Sequence, residues 1–145
     1  MRALRYRSGG QALVEFSLAF VVLSVLVFGV VDFGRAIYQF NAVSQAAREI
    51  ARVTSVHPGS NFTTVAGRSP ETIAVIETQK NLVPGLIVAP DAIECVDTAG
   101  TVQTTCDFSE DSVRVVVTAP FKAMTPPMNS WSAWTMKGSS SVQIQ

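Results

Sequence analysis

The chain has 145 residues, 48% of them hydrophobic, and its 11 basic and 11 acidic side chains give a formal net charge of zero. That charge is unevenly spread, because three arginines and no acid precede Gly10, and the remainder carries a formal −3. The balance argues against nucleic acid as a partner, since phosphate binding requires a basic surface. The length allows one modest domain beside a membrane segment.

Residues 1–10 form a basic head that we expect to stay in the cytoplasm. Residues 12–31 follow as a run of twenty residues whose single charge is Glu15. As a helix this run is about 30 Å long, which matches the hydrocarbon core of a bilayer. We therefore predict a transmembrane helix at 11–31, crossing once, with the C-terminal domain outside the cytoplasm.

A helical period continues beyond the apolar run, and no proline follows before Pro58. Apolar residues recur at the spacing of one helix face, and polar residues occupy the other. We expect one helix over about 12–55, roughly 65 Å long, whose amphipathic extension at 32–57 packs its apolar stripe on a globular domain. The stripe consists of Phe33, Ala36, Ile37, Phe40, Val43, Ala47, Ile50 and Ala51, and the polar face of Arg35, Gln39, Gln45, Arg48, Glu49 and Arg52.

Residues 58–145 predict a small domain outside the membrane. Ser69, Pro70 and Glu71 suit the start of a second helix, which ends near Leu82 before Pro84-Gly85. Strands are predicted at 86–88, 92–96, 102–108, 112–119 and 135–145, with Gly138 as a bulge. The predicted fold class is α+β: a long N-terminal helix packed on a domain with one short helix and an antiparallel β-sheet.

Few residues suggest chemistry. The single histidine, His57, stands at a helix end, and Cys95 and Cys106 are too few ligands for a structural zinc site. We predict a disulfide between these two cysteines in an oxidising compartment, with two free buried thiols as the alternative. Trp131 and Trp134 are expected to pack within the domain. No catalytic residue, metal or cofactor is expected, and the protein is not predicted to be an enzyme.

Glu15 is the unusual residue of the apolar run, because a carboxylate in a membrane helix is unfavourable without a partner. The basic head and the glycine ahead of the run suggest a cut after Gly10, which would give Gln11 a new α-amine. That amine and Glu15 would then lie four residues apart on one helix face. Each charge could pair with its complement on a neighbouring copy, so Glu15 is predicted to set register during assembly.

Three segments carry a resemblance to a known family. The segment from Gly10 through Gln11 and Glu15 to Phe16 resembles a type IV prepilin processing site. Residues 30–52 resemble the TadE-like family, which are pseudopilins, or minor pilins, of the tight-adherence (Tad, type IVc) pilus. Residues 112–145 are similar to that family to a lesser degree. The positions that match the family motif are Asp32, Phe33, Gly34, Arg35, Tyr38, Asn41, Arg48 and Arg52.

The resemblance implies removal of residues 1–10 by a prepilin peptidase and retention in the inner membrane. It further implies that the protein then primes or joins an adhesive pilus. The implied partners are the lipid bilayer, other minor pilins, the major Tad pilin and the inner-membrane assembly platform. Two alternatives stay open: a signal-anchored extracytoplasmic binding or enzyme domain that keeps its N-terminus, and a scaffold unrelated to pili.

Overall fold

The computed structural model describes residues 9–103, 111–124 and 134–144. Two helices and a four-stranded antiparallel sheet make up this part of the chain, which confirms the predicted α+β class with a long N-terminal helix. Residues 1–8 of the predicted leader at 1–10 lie outside the described residues, as do Cys106 and Trp131. The elements are α1 (Gly9–Val56), α2 (Pro70–Leu82), β1 (Ile93–Val96), β2 (Val102–Gln103), β3 (Ser112–Phe121) and β4 (Trp134–Gln143).

Helix α1 is uninterrupted over 48 residues and ends two residues before Pro58. It starts slightly earlier than predicted, so Gly10 and Gln11 both lie in its first turn. Only its distal half is covered by the domain, where small side chains let the helix approach the sheet closely. The fully covered apolar residues of this half are Val43, Ala46, Ala47, Ile50 and Ala51.

Helix α2 begins and ends where its capping residues predict. The Ser69 hydroxyl accepts a hydrogen bond of 3.1 Å from the backbone N–H of Thr72, Pro70 opens the first turn, and the helix ends at Leu82. The buried Thr72 hydroxyl donates to the Thr54 hydroxyl of α1 at 3.3 Å. This contact fixes the start of α2 against the end of α1.

The sheet has the strand order β2-β1-β3-β4 with every pair antiparallel. Val113, Val115 and Val117 of β3 are fully buried beneath α1, as their alternation predicts. The predicted strand at 86–88 is reduced to one bridge between Ile87 and Thr118. Strand β3 runs along α1 from its distal end towards its apolar half, so Phe121 lies nearest the exposed helix.

Gly138 is not the predicted bulge, because the register of β3 with β4 continues through its pairing with Val117. The glycine instead marks the point where α1 crosses β4. A Cβ added at Gly138 would stand 2.7 Å from the backbone oxygen of Val43, closer than a carbon can approach. Gly138 is therefore required for the contact between helix and sheet.

Candidate functional site

The proximal half of α1 projects from the domain with its apolar side chains uncovered. From residue 10 to 31 every position is exposed except the half-exposed Ser24. By length and composition α1 could cross a membrane, and it is the one helix among the described residues that meets this criterion. A water-exposed surface of this size is unfavourable by about 25 cal/mol for each Å² of apolar area. Some apolar medium, either lipid or other apolar helices, must therefore cover it.

The apolar surface extends past Asp32 on one side of the helix. Phe33, Ile37 and Phe40 are 67%, 46% and 50% exposed, although the sequence pattern places them in the stripe that packs on the domain. That part of the stripe prediction is wrong, because the domain covers only the distal members of the stripe. The side facing the domain at this level carries Gln39, whose amide donates to the Pro120 carbonyl at 3.0 Å.

These exposed residues form a line with others of the apolar half. We call the line the outer ridge: Val22, Leu26, Phe33, Ile37 and Phe40, all of which are exposed. Glu15 lies on the same side of the helix as Phe33, because the two residues are 18 positions apart and about 18 residues make five full helical turns. The outer ridge therefore ends, near the predicted cut, at the one carboxylate of the apolar half.

A second feature joins the helix to the domain at Asp32, where the apolar run ends. Both carboxylate oxygens of Asp32 accept from the backbone N–H of Met124 at 3.1 Å. The Arg35 guanidinium donates to the same carboxylate at 3.1 Å and stands 5.7 Å from the ring centre of Phe121. We call these contacts, with the Gln39–Pro120 hydrogen bond, the junction.

The junction changes the interpretation of the pair formed by Asp32 and Arg35. Spacing alone suggests an exposed i,i+3 pair at a membrane exit, which contributes a few tenths of a kcal/mol, about 0.2–0.5. The structure buries Asp32 and gives it a backbone partner 92 positions away. Hydrogen bonds to a charged acceptor contribute about 1.5–3 kcal/mol. Asp32 therefore holds the end of β3 against α1.

The motif positions are divided among several sites, although Gly34, Arg35 and Tyr38 line one groove, which is described below. Asp32 and Arg35 belong to the junction, and Phe33 belongs to the outer ridge. Arg52 is exposed and donates to Glu49 at 2.7 Å, and its hydrogen bond lowers the pKa of the Glu49 carboxyl. The remaining motif residues are exposed along the helix: Gly34, Tyr38, Asn41 and Arg48.

A groove of about 500 Å³ lies on another side of α1, between the helix and the end of α2. Val31, Gly34 and Tyr38 line it from the helix, and Leu82 and Pro84 line it from α2 and the following turn. Helical spacing places the groove well away from the outer ridge. The groove adjoins the junction, because Arg35 and Gln39 also line it, whereas the outer ridge lies on a different side of the helix.

The remaining predicted sites keep their status as predictions. Cys95 is buried and disulfide-bonded, and since its predicted partner Cys106 lies outside the described residues, their pairing stays a prediction. The cut between Gly10 and Gln11 and the pairing role of Glu15 are also not tested by the fold. Over residues 9–103, 111–124 and 134–144, no group of three His, Cys, Asp or Glu residues is placed to hold a metal ion.

The sequence does not reveal the partner of Asp32, because Met124 contributes a backbone N–H that any residue but proline would supply. It also does not reveal the role of Gly138, which only shows once the helix crosses the strand. A glycine inside a strand indicates either a bulge or a close approach of another backbone. The sequence therefore allows the close approach but does not show which of the two applies.

Comparison with known proteins gives one match, to the N-terminal part of the chain. Residues 10–52 match the family model described as TadE-like protein, which confirms the resemblance over the helix. The match covers the apolar half of α1, the junction residues of the helix and all the motif positions, whereas the weaker similarity of residues 112–145 stays a prediction. Neither the curated proteins nor the solved structures give a match. Over these residues the chain is similar to TadE-like proteins, and the apolar helix fits membrane anchoring.

Proposed function

We propose that the chain is a minor pseudopilin of a Tad-type pilus, made as a prepilin and cut after Gly10. The cytoplasmic head at 1–10 is removed by the prepilin peptidase. The segment 11–31 then holds the protein in the inner membrane with 58–145 outside, until it primes or joins the pilus. The match of residues 10–52 to the TadE-like model supports association with Tad pilus components.

The observation that carries the proposal is the outer ridge beyond the membrane. A bilayer whose hydrocarbon core is matched by residues 12–31 ends near Val31. Phe40 stands nine residues further along the helix, about 13 Å at 1.5 Å per residue. Lipid does not cover Phe40 there, and the domain leaves it half exposed. Packing against apolar helices of neighbouring subunits covers the ridge on both sides of the membrane boundary.

The charges at the start of the helix support the same assembly. After the cut, the α-amine of Gln11 and the carboxylate of Glu15 lie on one helix face. Since Glu15 is in line with the outer ridge, the face that packs on a neighbour also brings the carboxylate to that neighbour. In a low dielectric, opposite charges attract strongly, so Glu15 sets the register in which the ridges meet.

Processing is tested by N-terminal sequencing of the protein isolated from membranes. We expect a start at Gln11, and we expect Gly10→Ala to leave residues 1–10 attached and slow migration on a gel. A wild-type protein that begins at Met1 would contradict the cut and favour a plain signal anchor.

Assembly is tested on the ridge itself with Phe40→Asp. We expect the variant to be processed and held in the membrane, while pili recovered by shearing fall to the level of a deletion strain. Gln45→Asp is the matched control, because it adds the same acid at an exposed position on another side of α1 and should leave piliation unchanged. Glu15→Ala should also be processed without assembly. Normal piliation in both Phe40→Asp and Glu15→Ala would contradict the proposal.

A further inference from the structure

The end of the domain nearest the apolar helix carries exposed apolar side chains from three elements. Leu82 at the end of α2 is 68% exposed, Met124 after β3 is 71% exposed, and Trp134 at the start of β4 is 59% exposed. The prediction that Trp134 packs within the domain is therefore wrong. We call these three residues the collar.

Each collar residue is placed at the level where α1 leaves the domain. Met124 donates its backbone N–H to Asp32, one residue past the apolar run. Trp134 pairs in register with Phe121, whose ring faces Arg35. Leu82 lines the groove together with Val31 and Gly34. All three therefore lie beside the first turns of α1 beyond residue 31.

The continuous helix fixes the height of this level above a bilayer. Residues 12–31 match the hydrocarbon thickness, and the headgroup region adds about 5–8 Å on each side. Helix α1 has no break between 31 and 35, so no linker separates the domain from the lipid surface. A domain held at Asp32 must place its collar within the headgroup region.

The composition of the collar suits that region. Tryptophan is enriched at membrane interfaces, because its ring is apolar and its N–H can remain hydrated. Lys122 is exposed two residues before Met124, and the Arg35 side chain is partly exposed. Cations beside apolar side chains match phosphate groups above acyl chains. The acid at this level, Asp32, is already bonded to Arg35 and Met124.

We propose that Leu82, Met124 and Trp134 rest in the headgroup region of the phospholipid bilayer and set the depth and tilt of α1 before assembly. The inference rests on the membrane-held state of the proposed function. A lipid surface is favoured over a second copy because the collar continues the apolar surface of the helix at the membrane boundary. The outer ridge, on a different side of α1, stays free for neighbouring subunits.

The test uses the quenching of a single tryptophan by brominated lipid. The full chain is reconstituted into vesicles of phosphatidylethanolamine and phosphatidylglycerol with bromine either near the headgroups or deep in the chains. Trp131→Phe leaves Trp134 as the sole reporter. In a background with both tryptophans changed to phenylalanine, Leu82→Trp is the second collar reporter. Val22→Trp reports the span, and Val102→Trp reports β2, which pairs beside the end of β3 farthest from Phe121.

We expect both collar reporters to be quenched at least twofold more by shallow than by deep bromine, with Val102→Trp unquenched. Collar reporters that resemble Val102→Trp, while Val22→Trp is quenched, would overturn the inference and leave the membrane span intact. Shielding of the collar that appears only as the ratio of protein to lipid rises would show a second copy there and also overturn it. An unquenched Val22→Trp would overturn the span, and the proposed function with it.

Discussion

Val43 divides α1 into an uncovered half that reaches Phe40 and a distal half that the domain covers, and both halves carry apolar residues at the same helical spacing. The covered half presents Ala46, Ala47 and Ala51 to the sheet, and these small side chains permit close approach of helix and strand. The uncovered half presents Phe33, Ile37 and Phe40, which stand out from the helix. The spacing thus predicts that a face will be covered, whereas side-chain size indicates whether a sheet or a later partner covers it.

A matched pair of isoleucines tests this comparison with the largest expected effect. Ile50 is fully buried in the distal half, and Ile37 is nearly half exposed in the uncovered half. Ile50→Ala should lower the free energy of unfolding by about 2–5 kcal/mol, because it leaves a cavity. Ile37→Ala should change it by less than about 0.5 kcal/mol. Denaturant unfolding of the full chain in detergent micelles measures both, and equal losses would show that the halves are not distinct.

Asp32→Ala tests the junction, which ties the domain to the uncovered half of α1. Loss of a charged acceptor from the Met124 N–H should cost about 1.5–3 kcal/mol of unfolding free energy. The segment after Phe121 should also be released, so trypsin should cleave after the exposed Lys122 faster than in the wild type. Asp91→Ala, at an exposed position, is the control. Unchanged stability together with unchanged cleavage would mean that the junction does not hold β3 to the helix.

Gly138→Ala tests why the distal half can be covered. The added Cβ meets the Val43 backbone, so helix and strand must separate, at a cost of about 1–3 kcal/mol of unfolding free energy. Gly34→Ala is the matched control, since nothing lies within 4 Å of a Cβ added there. A Gly138→Ala protein as stable as Gly34→Ala would indicate that α1 does not cross β4 so closely.

Most of the fold follows from local sequence signals. The Ser69-Pro70 start of α2, the alternating valines of β3 and the absence of proline before Pro58 each act within a few residues, so their consequences could be predicted. The same holds for the cut site and Glu15, whose positions depend on neighbours in the chain. Their roles stay predictions, because the fold of one chain does not test the cut or the pairing.

Contacts between distant segments were not predictable in the same way. Phe62 lies in the connection between α1 and α2, yet its side chain is fully buried in the core. Arg68 explains how a loop can do this, because its guanidinium donates to the carbonyls of Phe62 and Pro90 at 3.2 and 2.7 Å. Such a contact depends on where two loops meet, and residue type alone does not reveal it.

The smallest expected effect concerns a turn far from both halves of the helix. One Asp97 oxygen accepts from the backbone N–H groups of Ala99 and Thr101, and the other accepts from the Gln103 amide. These bonds, that from Thr101 foremost, lower the pKa of Asp97 below its ordinary value of 3.8. A carboxyl whose pKa is lower in the folded state stabilises the fold at pH values above its pKa in the unfolded state. This contribution is lost as the pH falls through its pKa in the folded state.

Asp97→Asn should therefore weaken the dependence of stability on pH below about 4, while leaving the junction and the distal core unchanged. Unfolding midpoints of the full chain between about pH 2 and pH 6 measure the change, with Asp91→Asn as the exposed control. The difference between the two variants should be slight, since Asp97 is solvated. If Asp97→Asn altered the rate of trypsin cleavage after Lys122, the β1–β2 turn and the helix junction would be coupled. That result would contradict the expectation that the two sites are independent.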